Sequence, residues 1–288
     1  MTDQLKGLLI TFFGVLCVVP DSLFVRLIDA PALTIAFWRL FMVGLIICLG
    51  LLAWQGTGPF RAWWRTGWAG LIYMVALGSS GVMFVMAVSL TSVANVVFII
   101  ASLPVFAALF SRVFLKEPIS PRMYLTMAAV IPGLAVIAYG SGETQNAALA
   151  GDLLALGTSA IFAAGLTVAR QARRVSMVPG VAIGYLLAGI VILPWAQPLS
   201  MPLDQAPLVA AHVGTIAFSS VFLALGPRYI TSAEVGLLVL LESVLAPLLA
   251  WGFLAEDPGG YALVGGALVI GALFVSNLVV LTRKRQPH

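Results

Sequence analysis

Phe114-Leu115-Lys116-Glu117 returns later in the chain as Phe253-Leu254-Ala255-Glu256. Slid 139 positions along itself, so that 114 falls on 253, the sequence repeats itself elsewhere too. Ala94, Val96, Val105, Ala107, Leu109, Ala128, Val130 and Ile131 meet identical residues at Ala233, Val235, Val244, Ala246, Leu248, Ala267, Val269 and Ile270 without a gap. A repeat of this length sets the architecture before any motif does. In a bilayer protein a doubled half points to a transporter whose site lies at the repeat interface.

Composition places the chain in a bilayer. It is 61% hydrophobic and 9% charged, with a mean hydropathy of +1.08. An ordinary soluble domain is about 25% charged. The apolar residues come in runs near the roughly 20 residues that cross a membrane. Cys17 and Cys48 sit inside such runs without CxxC spacing and read as small buried hydrophobes. The first run lacks a small-residue cleavage site and continues into Pro20-Asp21 and Arg26, so it reads as a retained span. The sequence pI near 9.3 does not imply a nucleic-acid partner; what matters is where the basic residues fall.

Ten spans are expected: Gln4–Leu27, Pro31–Trp54, Thr66–Leu90, Ser92–Leu115, Pro121–Tyr139, Leu149–Arg170, Met177–Pro194, Pro207–Gly226, Tyr229–Leu254 and Gly259–Thr282. With the N-terminus in the cytoplasm, alternate ends hold Lys6, Arg61, Arg65, Arg112, Lys116, Arg122, Arg170, Arg173, Arg174, Arg228, Arg283, Lys284 and Arg285. The opposite ends hold Asp29, Glu143, Asp204, Glu256 and Asp257. Of 15 basic residues only Arg26 and Arg39 fall outside the cytoplasmic set. This is the positive-inside pattern, and it places both termini in the cytoplasm. The repeat carries the fourth and fifth spans onto the ninth and tenth. An odd number of spans per half turns the copies over, so two inverted five-helix repeats are expected, at 1–142 and 143–288. Their site is expected near the membrane midplane.

These residues resemble the drug/metabolite transporter superfamily in its ten-helix EamA-type branch. The resemblance is carried by Ser92-Val93-Ala94-Asn95, Leu103-Pro104-Val105-Phe106-Ala107-Ala108-Leu109 and Phe114-Leu115-Lys116-Glu117. In the second half it is carried by Thr231-Ser232-Ala233-Glu234, Leu241-Glu242-Ser243-Val244-Leu245-Ala246 and Gly252-Phe253-Leu254-Ala255-Glu256. Arg39 in Phe37-Trp38-Arg39-Leu40 and Gly214-Thr215-Ile216-Ala217 fit as well. One departure stands out: family members commonly carry a proline after the ninth-span glutamate, where this chain has Ser243 and places Pro247 a turn later. The resemblance implies an all-α integral membrane protein, ten helices around a central cavity. Spans one, three, four, six, eight and nine would face the pathway, with five and ten outside. It also implies a bacterial inner-membrane location and export of amino acids or similar metabolites, aromatic amino acid exporters being the nearest match.

Polar groups inside a bilayer need a reason. Glu242, near the middle of the ninth span, reads as a proton-linked or amine-binding group, or as a structural partner of a neighbouring helix. Asp21 and Arg39 read as an intramembrane ion pair with a gating or structural role, next to a helix break at Pro20. At matching depth Ser79, Ser80, Met83 and Phe84, then Asn95 and Phe98, then Phe162, then Ser219 and Phe222 make up a candidate cavity lining. Hydroxyl groups mixed with Phe and Met suit an amino acid head and an apolar side chain; they also suit close helix packing. His212 lies nearer the external end and reads as a capped or solvated histidine. With Arg39 the lone deep cation, phosphate cargo is disfavoured and a neutral or zwitterionic solute preferred.

No GxxxxGK[ST], HExxH or Cys/His constellation is present, so neither an ATP-driven motor, an enzyme, a metal site nor a cofactor is expected. Three readings stay open: a secondary transporter of amino-acid-like solutes, the same fold carrying another metabolite or a lipid-linked cargo, and a non-transporting membrane partner. The glycines of the last span, Gly265, Gly266 and Gly271, suit a monomer or a homodimer.

Overall fold

The computed structural model describes residues 3–116, 118–119, 121–140, 148–169, 172, 174–225, 229 and 232–284, with side chains except at 3, 169, 232–237 and 277–284. The boundary expected at 142 and the repeat residue Glu117 lie outside the described residues. Among the described residues thirteen α-helices follow in chain order. They are α1 Asp3–Val18, α2 Asp21–Leu27, α3 Ala32–Gln55, α4 Gly58–Trp64, α5 Trp68–Leu90, α6 Val93–Ile100 and α7 Leu103–Phe114. Then come α8 Pro121–Gly140, α9 Leu149–Ala169, α10 Val178–Ala196, α11 Ala206–Leu225, α12 Ser232–Leu254 and α13 Gly260–Lys284. Eight described segments are long and apolar enough to cross a membrane, and Leu238–Leu254 and Gly260–Ser276 are shorter apolar helices inside α12 and α13. The chain is an all-α, ten-span membrane protein.

Two of the spans are broken. α1 and α2 share the first, and the chain turns at Val19-Pro20, where Pro20 has no N–H to continue the ladder. α6 and α7 share the fourth. Pro104, in the first turn of α7, leaves the Ile100 carbonyl four residues back without its usual donor. Ser159 of α9 donates to that carbonyl at 3.4 Å, and the Ser102 hydroxyl donates to Ile99 O at 2.6 Å. Side chains thus satisfy backbone groups that lipid could not.

Helices pack closely where side chains are withheld. A Cβ on Gly44 of α3 would sit 2.6 Å from Leu186 N and 2.7 Å from Ala182 O of α10. Gly133 of α8 and Gly265 of α13 meet in the same way, each within 3 Å of the other's carbonyl oxygen. Such contacts drive association where lipid is as apolar as the helices. α8 and α13 form an outer pair, with Leu125, Ile131, Val264 and Phe274 exposed. α6 lies central at one end of the bundle, its side chains Val93 to Ile99 all buried.

The repeat leaves a backbone mark. Lys116 and Ala255, superposed by the 139-residue shift, have φ of 56° and 52°, rare for non-glycine residues. Both follow the end of a repeated span.

α4 was not expected. Gly58 and Pro59 read as loop punctuation, yet proline fits a helix's first turn. Trp63 is buried, while Trp54, Trp64 and Trp68 stand exposed beside Arg61 and Arg65. Tryptophan with arginine suits a membrane–water boundary.

Candidate functional site

The break at Pro20 makes Asp21 the first residue of α2, well inside the bundle and 2% exposed. Arg39 of α3 donates to its carboxylate twice, from Nε to Oδ1 at 2.9 Å and from Nη2 to Oδ2 at 2.5 Å. His212 of α11, 1% exposed, places Nε2 at 2.6 Å from Oδ1. An ionised carboxylate only accepts, so Nε2 carries the hydrogen and donates. Phe24 stacks on the imidazole with ring centroids 5.4 Å apart, and the Arg39 Cζ lies 5.5 Å from the Phe84 ring centroid. Three helices thus meet in one charge-assisted network, sealed by two aromatic rings.

The expected Asp21–Arg39 pair is present. The placing of His212 differs from the expectation of a capped or solvated residue: depth along a span was legible, but the face turned inward was not. α11 has no strongly one-sided hydrophobic pattern that would reveal it.

Glu242 of α12 lies within electrostatic range of both Arg39 and Asp21 but forms no ion pair among the described residues. It is partly exposed, as are Leu238, Leu245 and Leu249 on the same helix face. Val244, Leu248 and Trp251 occupy the outer face and are exposed. The Glu242 face is therefore only partly covered by neighbouring helices.

The other expected cavity residues are dispersed. Ser79 and Ser80 donate to carbonyls of their own helix, at Val75 and Leu77. Met83 packs against Gly157 of α9, and Phe222 against Gly14 of α1. Ser219 is buried on α11, and Phe162 is partly buried among residues of α3, α5 and α10. Phe98 packs on Gly266 of α13 and borders an apolar groove of about 540 Å³ between α12 and α13. Of the expected lining, Phe84 and Glu242 join the charged cluster.

Asn95 belongs to a second network that the sequence reading missed. Its Nδ2 donates to Asp152 Oδ1 at 3.2 Å, and Thr91 Oγ1 donates to the same oxygen at 2.7 Å. Arg26 Nη2 donates to Thr91 O at 2.8 Å, and its Nε lies 3.5 Å from Glu256 Oε2. Glu256 Oε1 accepts from Val93 N at 2.7 Å and so caps α6. This network ties α2, α6, α9 and the end of α12 together at one end of the bundle. One signal pointed to it: Arg26 is a lone basic residue at the acidic end, where a carboxylate partner is expected.

The described residues hold no group of three or more His, Cys, Asp or Glu that could bind a metal.

Comparison with known proteins gives a consistent picture. The family model described as EamA-like transporter family matches residues 5–139 and 149–278. An uncharacterized transporter of Bacillus subtilis is 26% identical over 193 residues, 63% of this chain and 61% of that protein. A riboflavin transporter of Brucella anthropi is 34% identical over 111 residues, 38% of this chain and 37% of that protein. A riboflavin transporter of Rhizobium johnstonii is 25% identical over 284 residues, 96% of this chain and 90% of that protein. The chain thus spans less than two thirds of the first two relatives and most of the third. One solved structure, described only as the crystal structure of a protein, matches with a TM-score of 0.66 at 19% identity, covering 96% of this chain and 98% of that one. At that identity the likeness speaks for the fold alone.

Proposed function

The chain belongs to the EamA-like transporter family, and from this premise we propose that it is a secondary transporter of small amino-acid-like solutes, neutral or zwitterionic. The halves 1–142 and 143–288 form two inverted repeats that rock about a central site. The distribution of Lys and Arg supports both termini in the cytoplasm, and the resemblance to exporters of aromatic amino acids is what suggests export as the working direction.

The observation that carries this reading is the Asp21–Arg39–His212 network with Glu242 beside it. Charged groups at that depth are costly and mark a pathway or a site. Here one carboxylate is held by a cation while a second, on a partly exposed helix face, is not. A zwitterion brings an ammonium for such a carboxylate, and Phe84, over Arg39, offers apolar surface for a side chain.

A second reading is favoured by two relatives being named riboflavin transporters. A flavin would use its flat ring and ring carbonyls where an amino acid uses side chain and carboxylate.

Counterflow in proteoliposomes tests both. Vesicles are preloaded with a mixture of aromatic and aliphatic amino acids, or with riboflavin, and entry of the labelled solute is followed. Accelerated exchange of amino acids, lost in Glu242→Gln, supports the first reading. Exchange of riboflavin alone replaces it with the second. Flat traces from folded protein for all solutes remove both.

A further inference from the structure

Arg39 uses only one edge of its guanidinium. Nε and Nη2 are held by Asp21, while Nη1 is buried without a hydrogen-bond partner in a residue that is 5% exposed. A buried charged donor left unmatched is costly, and native proteins rarely keep one without a use.

The surroundings of Nη1 are defined by α5 and by the partners of Asp21. Gly81 of α5 withholds its side chain there: a Cβ would stand 3.5 Å from Nη1 and 2.7 Å from Leu40 Cδ2. Phe84, one turn further along α5, covers the guanidinium face. Asp21 fixes the direction of the fork, and His212, backed by Phe24, holds Asp21 in turn. Glu242, within electrostatic range of Arg39, lies on a face of α12 that is only partly covered.

We propose that Arg39 Nη1 is a substrate-contacting donor that takes an acceptor oxygen of the transported solute. Asp21 and His212 are positioning residues that keep this edge of the fork turned away from their own carboxylate–imidazole contact. The inference rests on the transporter reading above and assigns Arg39 a part beyond gating or structural pairing. The ligand chemistry is an oxygen acceptor, met equally by an amino acid carboxylate or a flavin ring carbonyl.

The test compares wild type, Arg39→Lys and Gly81→Ala in proteoliposomes. Initial rates are measured for labelled phenylalanine and labelled riboflavin. Phenethylamine, which keeps the ring and amine of phenylalanine but has no carboxylate, serves as a competitor. Lysine retains the charge beside Asp21 but cannot present the second edge. Gly81→Ala leaves the ion pair intact and places a methyl in van der Waals contact with Nη1, where a bound oxygen would sit, with the Leu40 side chain giving way to it; elution in detergent by size exclusion confirms the fold of each variant. Both variants are expected to raise KM for the carried solute about tenfold with Vmax retained. The phenethylamine concentration giving half inhibition is expected to stay unchanged. An unchanged KM with lower Vmax overturns the proposal, because it leaves Arg39 a purely structural or gating role. A weakening of phenethylamine as large as that of phenylalanine also overturns it. If riboflavin alone is carried, its KM decides by the same rule. If wild type carries neither solute, the transporter reading for them fails and this inference with it; transport with unchanged KM removes only the inference.

Discussion

At the residue scale the sharpest consequences attach to Asp21. Removing it leaves Arg39 as an uncompensated cation inside the bundle, and breaking a buried pair in this way costs roughly 3–5 kcal/mol. Asp21→Ala is therefore expected to lower the melting temperature in detergent well below that of His212→Ala. The latter removes one donor from a carboxylate that Arg39 still holds and costs on the order of 1–3 kcal/mol. The double variant Asp21→Leu with Arg39→Met replaces the pair by apolar side chains and is expected to recover most of the Asp21→Ala loss, as a thermal double-mutant cycle would reveal. Recovery of folding without recovery of transport separates the two roles of the pair. The pairing of Asp21 with Arg39 was legible because both lie at the same depth of adjacent spans. His212 was not, because a span that is apolar all round carries little record of which face turns inward.

Among the elements, the broken fourth span is the most informative. Pro104 keeps α6 and α7 apart, and Ser159 reaches from α9 to satisfy the exposed Ile100 carbonyl. Pro104→Ala would restore a donor four residues on and let one helix run through the break. Its expected outcome is an unchanged or higher melting temperature with transport slowed several-fold, since discontinuous spans at such sites line the pathway. A melting temperature that falls instead would mean the break is needed for packing. The proline was visible in the sequence, but the break was not read there. A proline in an apolar run can kink a helix or start one, and only the partner on α9 decides. The same ambiguity hid α4, whose Gly58-Pro59 start looks like a turn until Trp63 is seen buried against Gly180. The span limits were readable to within a few residues because bilayer thickness fixes length. The cavity lining was less so, since depth alone groups residues such as Phe98 and Phe84 that face different neighbours.

For the whole molecule, the proposed alternating access makes the network at the acidic end the contact set that holds the bundle together there. Arg26, Thr91, Val93 and Glu256 connect the broken first span, the start of α6 and the end of α12. Those contacts cannot survive a rocking motion that parts the two halves there. An alternating-access protein must make and break such contacts each cycle, so their strength sets the balance between its two states. Glu256 contributes a charge-assisted cap to α6, and losing it costs about 1–2 kcal/mol. That shifts the equilibrium toward opening at this end by roughly five- to thirty-fold. Glu256→Gln and Arg26→Gln should both show it. The readout is a reporter cysteine at Ala94, 3% exposed next to the cap, in a background with Cys17 and Cys48 changed to serine. A membrane-impermeant maleimide is expected to label the reporter several-fold faster in either variant than in the parent, which keeps both charges. The exchanged pair Arg26→Glu with Glu256→Arg is expected to recover only part of the protection. It restores the ion pair but places a cation at the helix N-terminus, where the backbone dipole disfavours it. Equal labelling in all four proteins would show that this end is held by packing of α6 against its neighbours and not by the charges.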